Sequence, residues 1–176
     1  MMLKLSLAAV ALSASMYAGS LSFESGAIKA HTEVFGDNTI DPVTKKATSH
    51  LSMDANPTTL KGSIEISMND LYSDNKKRDE HMQDVLESSS FPKAVFDVKD
   101  VVAKSGDNYT LKGTMTFHGV SKAMNFEGTI TEEGGKVRIK ATSSMKISDF
   151  GVKPIKMMFL TVRDQVDLNV DISLKR

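Results

Sequence analysis

The fold of this chain is decided by the stretch Tyr109-Thr110-Leu111-Lys112-Gly113-Thr114-Met115-Thr116-Phe117-His118. Its odd-numbered positions carry apolar residues or glycine, whereas its even-numbered positions carry polar residues. This period of two is typical of a β-strand with one buried face. A slip of one residue would turn every apolar side chain towards water, so the register of this strand is well specified.

The same alternation continues on the C-terminal side of this stretch, in runs at residues 124–130, 137–147 and 166–174. Among the inward positions of the four runs, only Ser143 is plainly polar. The N-terminal side holds four less regular strands, which are marked by apolar residues at 28–34, 51–55, 60–68 and 94–98. The chain therefore contains eight predicted strands.

These strands predict an all-β fold, namely an eight-stranded antiparallel β-barrel with one short helix between strands 3 and 4. Most of the connections are short and rich in Asn, Asp, Gly and Pro, which are the residues of tight turns. A meander of eight strands can close on itself and so remove its exposed edges. A two-layer sandwich is the alternative, but it would need more crossover loops than the sequence shows.

The helix is predicted at residues 73–90, with Ser73 or Asp74 as its N-cap. Its apolar stripe, at three- and four-residue spacing, consists of Met82, Val85 and Leu86. A second long connection, residues 150–164, holds clustered apolar residues. We expect this connection to cap the barrel mouth or to touch a membrane or a ligand tail.

The N-terminus reads as a secretory signal peptide over residues 1–20. A basic start with Lys4 precedes an apolar stretch that is too short to span a membrane. Small residues then offer cleavage after Ala18 or after Ser20. We therefore expect a single domain over residues 21–176, located in the periplasm and soluble after cleavage.

The composition excludes several classes of function. Lys4 is the one charged residue of the leader, so the remaining chain carries 21 basic and 22 acidic residues, a net charge of −1. A nucleic-acid-binding protein would show a basic stripe. The chain has no Cys, so it offers neither disulfides nor thiol chemistry. No nucleic-acid partner is expected.

The four histidines do not predict a metal or a catalytic site. His31, His50 and His118 fall on the polar faces of their strands, so we expect them to point into solvent. No pair has the spacing of a typical metal site. No nucleophile elbow or phosphate-cradling glycine loop is present. We therefore predict no metal, no catalytic residues and no enzymatic activity.

The charged step Arg78-Asp79-Glu80-His81-Met82 has two interpretations. It is either a solvated helix start, which suits acidic residues electrostatically, or part of a binding site. In the second case Arg78 and His81 lie at the barrel rim and contact a polar headgroup such as a phosphate.

This step, followed by Phe91, Pro92 and Phe96, resembles the YceI-like family of periplasmic polyisoprenoid-binding proteins. The segment from Gly113 to Lys122, the Asp-Phe-Gly step at residues 149–151 and the closing run at 164–168 are also similar to family motifs. The resemblance covers most of the chain after the leader. It implies a lipocalin-like barrel whose apolar interior holds an isoprenoid chain, such as a quinone or a polyprenyl phosphate.

From the residues alone, the inward Met, Ile and Phe side chains either line a pocket or fill a solid core, because flexible Met side chains suit both. With the resemblance, we expect non-enzymatic binding, storage or transport of an isoprenoid lipid. The predicted apolar lining consists of Ile64, Ile66, Met68, Phe96, Met115, Phe117, Phe126 and Met145.

The predicted partners are the isoprenoid lipid and, transiently, a membrane; the protein is expected to be a monomer or a homodimer. The alternative is a stress-response or interaction protein with a filled barrel and no lipid. An enzyme acting on an isoprenoid is the third interpretation. It would need convergent polar groups inside the barrel, and the inward face offers almost none.

Overall fold

A computed structural model describes residues 19–34, 38–153, 156–157 and 160–176. The predicted leader lies outside these residues except for Gly19 and Ser20. The strands, in chain order, are β1 (Gly19–Val34), β2 (Asn38–Ile40), β3 (Val43–Thr44), β4 (Thr48–Met53), β5 (Lys61–Ser67), β6 (Lys93–Ala103), β7 (Asn108–Phe117), β8 (Val120–Glu133), β9 (Lys136–Lys146), β10 (Lys156–Met157), β11 (Leu160–Thr161) and β12 (Gln165–Lys175). The α-helix is α1 (Lys76–Val85), and single 3-10 turns lie at Pro57–Thr59, Met68–Asp70 and Ile147–Phe150.

Eight long strands form a closed antiparallel barrel. Their order is β12, β9, β8, β7, β6, β5, β4 and β1, and β1 pairs with β12 to close the sheet. The predicted eight-stranded barrel is therefore confirmed, and the sandwich alternative is wrong. The predicted helix between the third and fourth barrel strands is present, since α1 connects β5 to β6.

Two of the short strands that were not predicted, β2 and β3, complete the barrel wall. The ladder between β1 and β4 extends over Gly19–Leu21 alone on the β1 side. Further along β1, the strands β3 and β2 pair with residues 28–29 and 32–34. We call residues 38–44 the strap. It continues the sheet where β4 no longer runs beside β1, and its strands of two and three residues are too short to show a period.

The first half of β1 was also missed, because a β-bulge breaks its alternation. The pairing with β12 shifts register between Phe23 and Ser25. Leu21 is buried before the bulge, whereas Ile28 and Ala30 face the interior after it. A bulge adds one residue to one strand and so reverses the parity of the inward positions. The pattern over the full strand consequently has no single period of two.

The two ends of the barrel differ in how they are filled. We call the end at Val34, Phe117 and Lys146 the mouth, and the opposite end the closed end. At the closed end the inward side chains form a continuous apolar core, with each residue at most 9% exposed. This core contains Leu21, Leu51, Met53, Leu60, Val98, Val101, Tyr109, Leu111, Ile130, Val137, Ile139, Ile172 and Leu174.

A glycine allows the strands to approach closely in this half of the barrel. Gly128 pairs with Ala141 of β9. A Cβ atom at position 128 would collide with the carbonyl oxygen of Lys140 and would lie 2.6 Å from Cα of Ala141. The inward glycine at position 128 is therefore required by close backbone contact, as is usual for a glycine inside a strand.

Helix α1 is shorter than predicted and has a different N-cap. The predicted caps Ser73 and Asp74 are wrong, because the cap is Asn75, whose Oδ1 accepts a hydrogen bond from the backbone N–H of Arg78 at 3.1 Å. The helix ends at Val85, and Glu87 follows with φ of 45°. Within the described part of the chain, no helix has the length and apolar character needed to cross a membrane.

Candidate functional site

The mouth half of the barrel encloses an apolar cavity with a volume of about 520 Å³. Inward side chains of the barrel strands form its wall, and α1 covers it. All of the predicted lining residues lie on this wall: Ile64, Ile66, Met68, Phe96, Met115, Phe117, Phe126 and Met145. Their contact with a ligand stays a prediction. The two interpretations of the interior therefore apply to different halves, since the closed end is solid and the mouth is hollow.

Sequence reasoning had not assigned several other wall residues to the lining. The strap contributes Ile40 and Pro42, and Val162, which pairs with Val34, contributes at the mouth. These residues are in short irregular segments, where no periodicity marks an inward position. The remaining contributors lie on β1 and β12, and their inward alternation was the available signal: Ile28, Ala30, Val34, Val166, Leu168 and Val170.

The floor of the cavity is an aromatic pair. The rings of Phe96 and Phe126 meet edge to face, with centroids 4.8 Å apart and an interplanar angle of 63°. The Phe96 ring lies over Gly113, where a Cβ atom would be 2.7 Å from Cζ of the ring. Beyond this pair the inward side chains belong to the closed-end core. The floor therefore separates the hollow half of the barrel from the solid half.

Helix α1, which we call the lid helix, covers the mouth with its apolar stripe. The stripe predicted from the sequence faces the cavity, through Met82, Val85 and Leu86. None of the residues of α1 is fully buried, so the lid helix adheres to the barrel through a few partial contacts. This is the weakly packed kind of element that opens locally more easily than a core strand does.

Arg78 and His81 are both brought to the rim of the cavity. Arg78 Nη1 lies 3.5 Å from the carbonyl oxygen of Thr39 in the strap and 3.6 Å from Oδ1 of Asp74. His81 is exposed. The polar wall residues Asn75 and Lys77 also belong to the start of the lid helix. A contact of Arg78 or His81 with a headgroup remains a prediction.

The strap is held on the barrel by one side-chain cluster. His31 Nδ1 lies 2.6 Å from Oδ1 of Asp41, and Lys29 Nζ lies 3.2 Å from the same oxygen. The hydrogen bond with Asp41 raises the pKa of His31, and the same bond lowers the pKa of Asp41. His31 points outward as predicted, but the strap covers part of its side chain.

Backbone hydrogen bonds fix the strap on both of its sides. The N–H of Ala30 donates to the carbonyl of Pro42 at 2.9 Å. On the other side, Val43 and Tyr72 exchange two backbone hydrogen bonds of 2.8 and 3.1 Å. The strap therefore bridges β1 and the segment that leads to the lid helix.

The prediction that His118 points into solvent is wrong. Its side chain is 9% exposed, and its ring lies 4.2 Å from the ring of Phe91 between centroids. Nδ1 donates to the carbonyl of Phe150 at 3.1 Å, and Nε2 lies 2.8 Å from Oε2 of Glu87. His118 directly follows the end of β7 and has φ of 49°, so the alternation of the strand no longer determines the direction of its side chain. His50 is exposed as predicted.

The polar groups that line the cavity lie at its rim, with the exception of Thr32. The hydroxyl of Thr32 donates to the carbonyls of Arg163 and Gln165, so its hydrogen-bonding capacity is satisfied by the backbone. Among the described residues, no group of three or more His, Cys, Asp or Glu side chains is arranged to hold a metal ion. The arrangement can shield an apolar chain and contact a polar group at the chain's outer end.

Comparison with solved structures shows the same fold in other bacteria. BcnA of Burkholderia cenocepacia superposes with a TM-score of 0.75 at 16% identity, over 84% of this chain and 95% of that chain. A domain from Saccharophagus degradans, described as polyisoprenoid binding and implicated in plant cell wall breakdown, gives a TM-score of 0.68 at 10% identity. That match covers 89% of this chain and 97% of that chain.

Sequence comparison finds more similar relatives over a shorter span. A UPF0312 protein of Yersinia pestis is 29% identical over 107 residues, and one of Pseudomonas putida is 32% identical over 108 residues. These matches cover 56% of this chain and 55–56% of the relatives, so the chain spans about half the length of the curated relatives it matches. The family described as the YceI-like domain matches residues 18–174. That match covers nearly the whole chain, and the protein therefore belongs to the YceI-like family.

Proposed function

We propose that this protein binds an isoprenoid lipid without chemically altering it, for storage or for transport. The observation that carries the proposal is the mouth cavity, which is apolar along its length and polar at its rim. Ligand sites typically combine such an apolar lining with a few placed polar groups. The ligand would be a polyprenyl phosphate or an isoprenoid quinone.

The energy of binding would come from burial of the tail. Each buried CH₂ group contributes about 0.8 kcal/mol, so every isoprene unit of five carbons has a large nominal gain. Ordering of the chain and of the lid helix takes back much of that gain. The net free energy still favours enclosure of the tail, because an exposed prenyl tail would leave all of its apolar surface in contact with water.

The polar end of the lipid would lie at the start of the lid helix. The Arg78 guanidinium offers paired donors that match a phosphate, and His81 lies one turn further along the helix. This placement leaves the headgroup in solvent and the tail between the barrel strands. A quinone ring would meet the same groups through its carbonyl oxygens.

The relatives support this proposal. The domain from Saccharophagus degradans is described as polyisoprenoid binding and shares this fold, and this chain belongs to the YceI-like family. At 10% identity the structural match shows the fold alone, so the choice of ligand for this chain rests on its own cavity.

We further propose that the protein acts in the periplasm after removal of its leader. The start of β1 favours cleavage after Ala18, because Gly19 and Ser20 pair with Met53 and Ser52 of β4. Cleavage after Ser20 would delete these pairs at the closed end. Mass spectrometry of the mature N-terminus tests this, and a mature chain that begins at Leu21 would contradict it. Contact with a membrane during loading, and a monomeric or homodimeric state, are part of the same proposal.

Native mass spectrometry tests the binding function directly. Protein purified from its own membrane context should carry a bound prenyl lipid, or should take up an added prenyl phosphate after delipidation. Ala94→Phe fills the cavity wall and should abolish uptake, whereas Ala123→Phe on the exposed side of β8 should leave it unchanged. Protein that stays ligand-free in every preparation, with no uptake of added lipid, would contradict the proposal.

A further inference from the structure

The floor of the cavity, the Phe96–Phe126 pair, extends across the interior of the barrel. Phe96 and Phe126 are 7% and 5% exposed and meet edge to face. In the strand register, Phe96 lies opposite Met115 and Phe126 lies opposite Leu111. The pair therefore joins β6 and β8 across the intervening β7, at the level where cavity-lining residues give way to closed-end residues.

A glycine at this level makes room for the floor. Gly113 has no side chain, and the Phe96 ring occupies the space where its Cβ would lie. An aromatic pair in this geometry is held by more than the burial of its area. The floor is consequently a defined, rigid surface and not a loose filling of flexible side chains.

The described residues beyond the floor leave no continuation of the cavity. Leu174, Val137 and Met53 have no exposed area, and Ile130 and Leu21 are 1% exposed. Protein interiors packed in this way contain few voids larger than a water molecule. A chain that enters at the mouth therefore ends at the aromatic pair.

The proposed function fixes the other end of the chain. This inference rests on that function, in which the headgroup lies at the lid helix beside Arg78. The tail then occupies the space between the rim and the floor. Along β7 this space spans the residues from Phe117 to Gly113, which is about 13 Å of strand.

We infer that the Phe96–Phe126 pair determines the length of isoprenoid chain that this protein selects. The cavity volume of about 520 Å³ corresponds to roughly three to four isoprene units, at about 30 Å³ for each heavy atom, the volume of a water molecule in the liquid. The preferred ligand is thus a single prenyl chain of about 15–20 carbons with a polar end group. The isoprene units of a longer chain that do not fit in the cavity stay in water and add nothing to the affinity.

A series of prenyl monophosphates tests this inference on the delipidated protein. Geranyl, farnesyl, geranylgeranyl and solanesyl monophosphates would be compared by displacement of a fluorescent prenyl probe. Affinity should rise about tenfold or more with each isoprene unit that the cavity encloses. From geranylgeranyl to solanesyl it should change by less than about threefold.

Substitutions at the floor should change the chain length above which affinity stops rising. Phe96→Ala and Phe126→Ala extend the cavity, so the affinity should keep rising for about one further isoprene unit. Phe96→Leu serves where the alanine variant does not fold. The matched control is Phe117→Ala, which removes a buried aromatic wall residue near the mouth and should weaken all chain lengths by a similar factor.

The outcomes separate this inference from the proposed function. Affinity that continues to rise tenfold per unit up to solanesyl monophosphate, or floor variants with an unchanged limit, would overturn the length selection and leave lipid binding intact. Failure of every chain length to displace the probe would overturn both. A limit that moves with Phe96 and Phe126 but not with Phe117 supports the inference.

Discussion

The closed end and the mouth of this barrel are built from the same strands with the same alternation, yet one is solid and the other is hollow. On β12, Leu174 is completely buried at the closed end, whereas Leu168 lines the cavity near the mouth. Both residues are leucines on the inward face. Alternation therefore determines which side chains face inward, but the spacing of the walls determines whether they meet.

The two ends of the barrel also differ in how firmly their walls are attached. At the closed end β4 pairs directly with β1, and the inward side chains are buried against one another. At the mouth the wall includes the strap and the lid helix, which are attached through a small number of contacts. Weakly attached elements of this kind open locally more easily than core strands do. The predictions below test this division, from the largest expected effect to the smallest.

Truncation of a closed-end leucine should cost far more than truncation of a mouth leucine. Leu174→Ala removes a side chain from a filled core and should lower the free energy of unfolding by about 2–5 kcal/mol. Leu168→Ala enlarges an existing cavity and should cost about 1 kcal/mol. Urea unfolding of the two variants measures both values. Equal losses would show that the mouth is as tightly packed as the closed end.

A methyl group at Gly128 should disturb the closed half. Gly128→Ala forces β8 away from the Lys140 carbonyl and should cost about 3 kcal/mol through overpacking. The control is Gly106→Ala, where the added Cβ meets nothing within 4 Å but φ is 60°. That variant should cost about 1 kcal/mol. Thermal unfolding compares them, and a smaller loss for Gly128→Ala would indicate that β8 and β9 can separate without penalty.

Removal of the lid-helix cap should act at the mouth alone. Asn75→Ala deletes the bond to the Arg78 amide and should destabilise α1 by about 1 kcal/mol. Hydrogen exchange should accelerate in the α1 amides and stay unchanged in the closed-end strands. Asn75→Asp keeps an acceptor at the cap and serves as the control. Faster exchange throughout the barrel would mean that the lid helix belongs to the same cooperative unit as the core.

The pH dependence of the strap cluster should be the smallest effect. The raised pKa of His31 means that its contribution is complete below its ordinary value of about 6.5 and is lost as pH rises through the raised pKa. The lowered pKa of Asp41 means that its contribution is present above about 3.9 and is lost as pH falls through the lowered pKa. The pair should therefore stabilise the fold between these limits, by less than about 1 kcal/mol because it is partly exposed.

Thermal unfolding across pH measures this contribution as the difference between the native protein and Asp41→Asn. The difference should be largest in weakly acidic solution and should shrink towards alkaline and strongly acidic pH. Lys46→Gln, which breaks an exposed ion pair with Asp70 away from His31, is the control and should show no change near the pKa of His31. A difference that grows as pH rises above neutrality would contradict the assigned pairing.

The sequence predicted the strands best where alternation is unbroken. Residues 109–117 and 165–175 needed no tertiary information, because each inward position is apolar or glycine. The strap and the first half of β1 could not be predicted, since two-residue strands carry no period and a bulge reverses parity. The N-cap was misplaced among adjacent polar residues that all favour the position. The structure shows that Asn75, three residues before Arg78, accepts the hydrogen bond from the Arg78 amide.

The residues of the cavity wall were partly predictable from the sequence, but the depth of the cavity was not. Inward alternation, together with the resemblance, selected Phe96, Met115 and their neighbours, all of which line the cavity. The position of the floor depends on how the Phe96 ring lies over Gly113, which no local pattern reveals. The burial of His118 likewise depends on Phe91, which is distant in sequence.

The strap gives the barrel wall a seam, and under the proposed function this seam would let a lipid exchange without unfolding of the barrel. At the closed end the eight strands pair with one another around the whole barrel. At the mouth the wall is completed by the strap, residues 38–44, through short pairings with β1 and Tyr72. Detachment of the strap would break these pairings and leave the strand ladders of the closed end intact. For a lipid bound as proposed, the residence time and the global stability of the protein would then be separately adjustable. Lipid dissociation rates and global unfolding rates would be measured for Asp41→Asn and for the native protein. The comparison would show whether the variant changes one rate without changing the other.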